Sequence, residues 1–202
     1  GSTQTRCIIP PINIASPTGD TRLVYIDSVT GQLTAKTGLY KPMAEVFYGD
    51  GGVNTATFTL VTQNQWYGID SSNFTTGAWT LETNNAKFLA AKWDNNGVPG
   101  QVRYISSTMD MSHTAISVCM SAANAGHRFQ TCILDGNTPI DSTIVFYDFV
   151  TNDIFASMAY HKILTMTLNK TYKLGIRCVS NNNSTVTLYN LNFVLLNMET
   201  LI

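Results

Sequence analysis

The stretch Leu191-Asn192-Phe193-Val194-Leu195-Leu196 decides the fold, read together with Thr185-Val186-Thr187-Leu188 before it and the run Tyr172 to Val179 upstream. In the upstream run Tyr172, Leu174, Ile176 and Cys178 alternate with Lys173, Gly175, Arg177 and Val179, the period of a half-buried strand. Val186 and Leu188 begin the last run with the same alternation. From Leu191 to Leu196 the pattern closes up until both faces are apolar, and a strand of that kind must be covered on both sides. One cover is the second sheet of a sandwich. With no helical period nearby to supply the other, the sequence predicts a second copy of the chain there, and hence an oligomer.

Composition narrows the classes of function. The chain has 202 residues, enough for one large all-β domain or a domain with an appendage. Charged residues make up 12% and the formal net charge is -1, so there is no basic field to hold a nucleic acid or an anionic membrane. No window reaches the roughly 20 apolar residues of a membrane-spanning helix, and no charged-then-apolar leader is present, so no membrane insertion is expected. Gly1-Ser2 reads as a cloning scar, and the chain is expected to be a fragment. The four cysteines, Cys7, Cys119, Cys132 and Cys178, lack metal-site spacing. Cys119 and Cys132 fall on either side of a hairpin expected near Asn124-Ala125, where a disulfide is conceivable, although buried free thiols are the expected state.

Strand signals recur at close spacing from Lys41 onward: Met43 to Tyr48, Ala56 to Val61, Ala78 to Glu82, Ala86 to Trp93, Val102 to Ser106, Thr114 to Met120, Arg128 to Leu134, Thr143 to Phe149 and His161 to Leu168. Many strands with no helix between them predict a sandwich or barrel. Residues 3–40 differ. Ile8 to Ile14 is broken by Pro10 and Pro11, which suits an extended edge and not a central strand. Leu23 to Ile26 and Gln32 to Thr34 read as a small hairpin, too little to stand alone in water. The division expected is therefore 1–2 scar, 3–40 neck or shaft segment, and 41–202 head.

Two resemblances sharpen this. Arg22-Leu23-Val24-Tyr25-Ile26-Asp27-Ser28-Val29-Thr30-Gly31-Gln32-Leu33-Thr34 resembles an element that precedes the head domain of viral and phage fibre proteins, where it implies an intertwined trimeric neck. Gly100 to Met198 is similar to the tumour necrosis factor and complement C1q type of jelly roll. The similarity is carried by Arg103-Tyr104-Ile105-Ser106, Ile116 to Ser121, Arg128-Phe129 leading to the turn Asp135-Gly136-Asn137-Thr138-Pro139-Ile140, Ile163 to Met166, Tyr172 to Ile176, and Val186 to Val194. It implies an all-β, two-sheet antiparallel jelly-roll sandwich of two five-stranded sheets, with first and last strands adjacent, assembled as a homotrimer. Tyr189, Leu191, Phe193 and Leu195 share one face of the last strand, and Leu188, Val194 and Leu196 share the other. Either set suits the core or the threefold axis, and the expected trimer interface is Tyr189, Leu191, Phe193 and Leu195.

Catalytic patterns are missing. There is no Gly-x-Ser-x-Gly elbow, His-Glu-x-x-His or Gly-rich phosphate loop. His113, His127 and His161 stand singly near strand ends, where structural roles are expected. Asp94-Asn95-Asn96-Gly97 carries oxygen ligands but lacks the alternation and distal Glu of a calcium loop, so it is expected to be a turn. Neither catalytic residue, metal nor cofactor is expected. Trp66, Tyr67, Trp79 and Trp93 are the candidates for receptor or glycan contact, because flat rings with a polar edge make binding surfaces as well as cores. The expected function is a non-enzymatic trimeric head of a virion fibre or tail that attaches the virus to a host surface receptor or glycan, at the virion surface. Two other readings are a secreted C1q- or TNF-like recognition protein and a glycan-active enzyme, the latter requiring paired carboxylates that Asp94, Asp135, Asp148 and Asp153 would have to supply.

Overall fold

In the computed structural model the described residues are 23–26, 33–36, 42–49, 55–83, 92–107, 109–151 and 155–198. The chain divides into two compact units, Gly1–Tyr40 and Lys41–Ile202. In the first, β1 (Leu23–Ile26) and β2 (Leu33–Lys36) pair antiparallel, Leu23 opposite Lys36 and Ile26 opposite Leu33. The proline-broken stretch 8–14 lies outside the described residues.

The second unit contains β3 (Met43–Tyr48), β4 (Ala56–Leu60), β5 (Tyr67–Gly68), β6 (Trp79–Thr83), β7 (Trp93–Asp94), β8 (Val102–Tyr104), β9 (Asp110–Ala122) and β10 (His127–Asp135). It continues with β11 (Thr138–Pro139), β12 (Val145–Phe149), β13 (Ala156–Met166), β14 (Thr171–Cys178) and β15 (Ser184–Asn197). Sheet I has the order β13-β9-β15-β3-β6, with β4 also on β15; sheet II has the order β11-β10-β14-β8-β7, with β12 on β10 and β5 on β14. All of these pairings are antiparallel.

The pairing is nested, and this makes the unit a jelly roll. β10 pairs with β12, β9 with β13, β8 with β14 and β3 with β15, and successive pairs fall alternately in sheet II and sheet I. A long antiparallel hairpin rolled across two sheets has this connectivity. Short additional strands make the sheets seven- and six-stranded where the resemblance implied five each.

The inner faces follow from alternation. Tyr172, Leu174, Ile176 and Cys178 of β14 point into the core against Ile116, Val118 and Met120 of β9 and Val46 of β3, all part of one buried apolar cluster. At roughly 25 cal/mol per Å² of apolar surface removed from water, this cluster is the main stabilising term. Gly175 has a separate reason: a Cβ there would stand 2.6 Å from Leu134 Cγ, so glycine lets that buried leucine lie across β14 on the other face of sheet II.

Two sequence expectations change. Residues 123–126 do not close a hairpin between β9 and β10; they carry the chain from sheet I to sheet II, so Cys119 and Cys132 lie in different sheets. Cys119, Cys132 and Cys178 are free thiols, and burial pushes that of Cys132 up to about 12.

The second change concerns β15. Its inward positions are Ser184, Val186 and Leu188 before residue 189 and Leu191, Phe193, Leu195 and Asn197 after it. The phase changes at a β-bulge, where Leu188 lies opposite Met120 and Asn190 opposite Cys119, leaving Tyr189 as the extra residue. The other neighbour of β15 changes at the same place, from β4 (Leu188 opposite Ala56) to β3 (Leu191 opposite Tyr48).

Candidate functional site

Beyond the bulge, the outward side chains of sheet I form rows across four strands. One row is His161, Ala115, Val194 and Glu45; the next toward the strand ends is Ile163, His113, Leu196 and Met43; on the other side lies Ala159, Ser117, Asn192 and Phe47. Glu45 is the only carboxylate among them, and its Oε1 accepts a 2.6 Å hydrogen bond from Asn192 Nδ2. An almost wholly apolar groove runs over His113, Ala115, Ala159, His161 and Val194. Met111, Ile163, Leu196 and Met198 extend the exposed apolar surface to one end of the sheet.

Within the groove the rings of His113 and His161 lie 5.3 Å apart, inclined by 47°. Neither imidazole has a hydrogen-bond partner among the described residues. Separate structural roles were expected of these histidines; the diagonal register of β9 and β13 makes His113 and His161 neighbours.

A second apolar surface lies where β12 and β13 form adjacent edges of the two sheets. Phe146, Val150 and Phe155 are 70%, 79% and 63% exposed. Phe155 stacks on Tyr189 with centroids 4.6 Å apart, and Tyr147 donates from its hydroxyl to the Ser157 carbonyl at 3.1 Å, tying β12 to β13. Residues 152–154 between them lie outside the described set.

The expected trimer-interface set needs correction. Leu191, Phe193 and Leu195 are 0% exposed within the single chain, packed in its own core, and so offer nothing to another copy. Only Tyr189 of that set reaches the surface, because the bulge turns it outward. The apolar surface of β15 available to a partner is that of Val194 and Leu196.

The aromatic candidates separate as well. Trp93 is 1% exposed and packs edge-on against Tyr104 in the core. Trp79 packs on Tyr48 and donates its indole N–H to the Phe74 carbonyl at 3.1 Å. Tyr67 lies against Phe58, its hydroxyl accepting from the Thr62 N–H at 2.9 Å. Trp66 is the member of the group that borders solvent with a cation on its ring, the Arg177 guanidinium 4.6 Å from the centroid. Arg177 is held by Gln130, whose Oε1 accepts from Nε at 2.6 Å.

The carboxylates named for glycan chemistry are engaged in ion pairs. Asp94 accepts from Arg103 Nε and Nη2 at 2.8 and 2.5 Å, and this partner holds its carboxyl below the usual range. Asp135 pairs with Lys170 and Asp148 with Arg128, both at 3.1 Å; Asp153 lies outside the described residues. Asp110 is buried at the head of β9, where it accepts from Lys92 Nζ at 2.7 Å, from Asn197 Nδ2 at 2.8 Å and from the Tyr104 hydroxyl. Burial alone would raise its carboxyl, but these three donors outweigh it and hold it below the ordinary value.

One Cys/His arrangement went unnoticed in the sequence. Ser184 Oγ donates to Cys178 Sγ at 3.0 Å and lies 2.8 Å from His127 Nδ1. Burial would raise the thiol, yet Ser184, Ser180 and the Ser180–Asn181 backbone amides bring it below its usual value. Cys178 is nevertheless 0% exposed beneath the 180–183 turn, so the sulfur meets no substrate. Among the described residues no three His, Cys, Asp or Glu side chains gather as a metal site, and no helix is long and apolar enough to cross a membrane.

No protein-family profile matches the chain, and no curated protein sequence is significantly similar to it. Solved structures with a related course of the chain include Eiger TNF from S. frugiperda, at 8% identity and a TM-score of 0.46, covering 81% of this chain and 96% of that one. Murine APRIL matches at 10% identity and a TM-score of 0.40, covering 75% of this chain and 98% of that one. PRD1 vertex protein P5 matches at 9% identity and a TM-score of 0.45, covering 80% of this chain and all (100%) of that one. At these values the likenesses carry no inference about function.

Proposed function

We propose that this protein is a non-enzymatic, self-associating jelly-roll head, a homotrimer at the surface of a virion fibre or tail that attaches the particle to a host surface receptor or glycan. The observation that carries this reading is the nearly uncharged outer face of sheet I. A face without charge selects no oppositely charged partner, and the chain itself offers an apolar complement in Phe146, Val150 and Phe155 at the β12–β13 edge. Two different surfaces of one chain that fit each other form a heterologous contact, which closes into a ring when the rotation permits. The resemblance to tumour necrosis factor and C1q favours three members. Covering one aliphatic or aromatic side chain is worth roughly 1.5–3 kcal/mol, so three repeats of such a contact suffice to hold the ring.

Residues 3–40 are in this reading the neck that carries the head. Attachment through three equivalent sites permits each to be weak, because the second and third engagements are intramolecular. Trp66 with Arg177 is the contact we assign to the receptor or glycan. The test is light scattering at micromolar concentration on the wild type and on Val194→Asp, whose folding is checked by circular dichroism. The expected masses are a trimer and a folded monomer. A monomeric wild type removes the reading. The monomeric variant should also show weaker glycan-array or cell-surface binding, and undiminished binding would remove the avidity argument.

A further inference from the structure

We infer that His113 and His161 together make self-association through sheet I sensitive to pH, so that the assembly holds when the pair is neutral and releases when it is protonated. This rests on the self-association proposed above. The two rings lie 5.3 Å apart in the apolar groove, one on β9 and one on the edge strand β13, with no hydrogen-bond partner for their nitrogens among the described residues. Neutral imidazoles are covered by an apolar partner at little cost. Protonated, they place two like charges side by side and remove both from water, which disfavours the covered state. Histidine is the side chain whose ordinary charge change falls between about pH 5 and 8.

The surroundings supply little compensation. β9 adds Met111, Ala115 and Ser117 on this face, and β13 adds Ala159 and Ile163, with Lys162 alternating to the opposite side. From β15 come Asn192, Val194 and Leu196, and from β3 comes Glu45, whose carboxylate is already engaged by Asn192. Glu45 sits two strand spacings from His113, roughly 10 Å. Glu82 of β6 lies one strand farther out and is exposed. Among the described residues of the proposed facing edge the charges are Asp148 and Arg128, which pair with each other. A single occupied carboxylate at that distance does not neutralise two imidazolium groups.

The experiment is sedimentation velocity at constant ionic strength from about pH 8 to pH 5, on the wild type, His113→Gln/His161→Gln and the exposed-site single variant His161→Gln. The expected wild-type result is an assembly at the upper end whose dissociation constant rises at least about tenfold as pH falls through the histidine range, since up to two protons are taken up per released copy. The double variant should remain assembled at the lower end, and the single variant should show a shallower dependence. If the double variant is unfolded by circular dichroism, the shallower slope of the single variant decides. A wild type that stays assembled to the lower end, or variants that dissociate in parallel with it, overturns the pH inference and leaves self-association standing. A wild type that is monomeric at the upper end overturns self-association itself, and this inference with it.

Discussion

Replacing Phe193 by Ala and, separately, Val194 by Ala tests which side of β15 is the inside. Phe193 is fully buried opposite Ile116 of β9 and Val46 of β3, whereas Val194 stands on the outer face between Ala115 and Glu45. Truncating a buried phenylalanine loses its transfer free energy and leaves a cavity, together about 3–5 kcal/mol. That is a large share of the roughly 5–15 kcal/mol by which a domain is stable. At about 2–4 °C per kcal/mol for a domain of this size, the melting temperature should fall by roughly 6–20 °C. The outward truncation should cost no more than about 0.5 kcal/mol in the isolated chain. Urea titrations followed by tryptophan fluorescence measure both, repeated at rising protein concentration. The Val194→Ala deficit should grow with concentration as assembly begins to stabilise the wild type, while the Phe193→Ala deficit is already present in the monomer. Equal costs at the lowest concentration, or a Phe193→Ala cost below about 1 kcal/mol, would refute the assignment of inner and outer faces.

Asp110→Asn removes the charge that accepts from Lys92, Tyr104 and Asn197 and should cost about 1–3 kcal/mol at neutral pH. Because the folded-state carboxyl lies below its unfolded value, the stabilisation is present above about pH 4 and is lost as pH falls through the folded value; urea midpoints against pH should show a shallower acid limb in the variant. Gly77→Ala should destabilise by at least about 1 kcal/mol, since φ is +95° and the added Cβ would meet the buried Tyr48 ring; an unchanged thermal melt would contradict the placement of that turn. Peptide-resolved alkylation of the native protein should modify Cys119, which is partly exposed on the outer face of sheet I, while Cys132 and Cys178 react only on unfolding. Assembly should slow Cys119 modification, and equal rates in monomer and oligomer would argue that the face stays uncovered.

The strands at 43–48, 172–178 and 185–197 were legible because their inward residues are apolar and their turns polar. β9 was read only from Thr114, although it begins at Asp110, because its first inward positions are Asp110, Ser112 and Thr114. The Asp110 carboxylate is satisfied by Lys92, Tyr104 and Asn197, partners that no local window brings together. The β9–β10 connection looked like a hairpin because four polar or small residues between apolar runs suit one. Whether neighbouring strands pair or change sheets depends on the roll of the whole hairpin. The outer face of sheet I was half legible: Val194 and Leu196 were recognised as a set, but a period-two reading cannot say which set is inside. His113 and His161 are 48 residues apart, and only the β9–β13 register makes them neighbours.

The bulge at Tyr189 gives this central strand a spare residue. Removing a single residue from the middle of a sheet ordinarily turns every later side chain inside out. Here, joining Leu188 directly to Asn190 would leave Leu188, Leu191, Phe193 and Leu195 all inward, in one unbroken alternation. Strand pairing therefore does not demand Tyr189. What the chain gains by keeping it is the ring laid against the exposed Phe155 and the hydroxyl 3.3 Å from the buried Ser121 Oγ, contacts that the strand pairing itself does not require. Deleting the residue at this one point of the strand would therefore alter the outer surface without inverting the inner one.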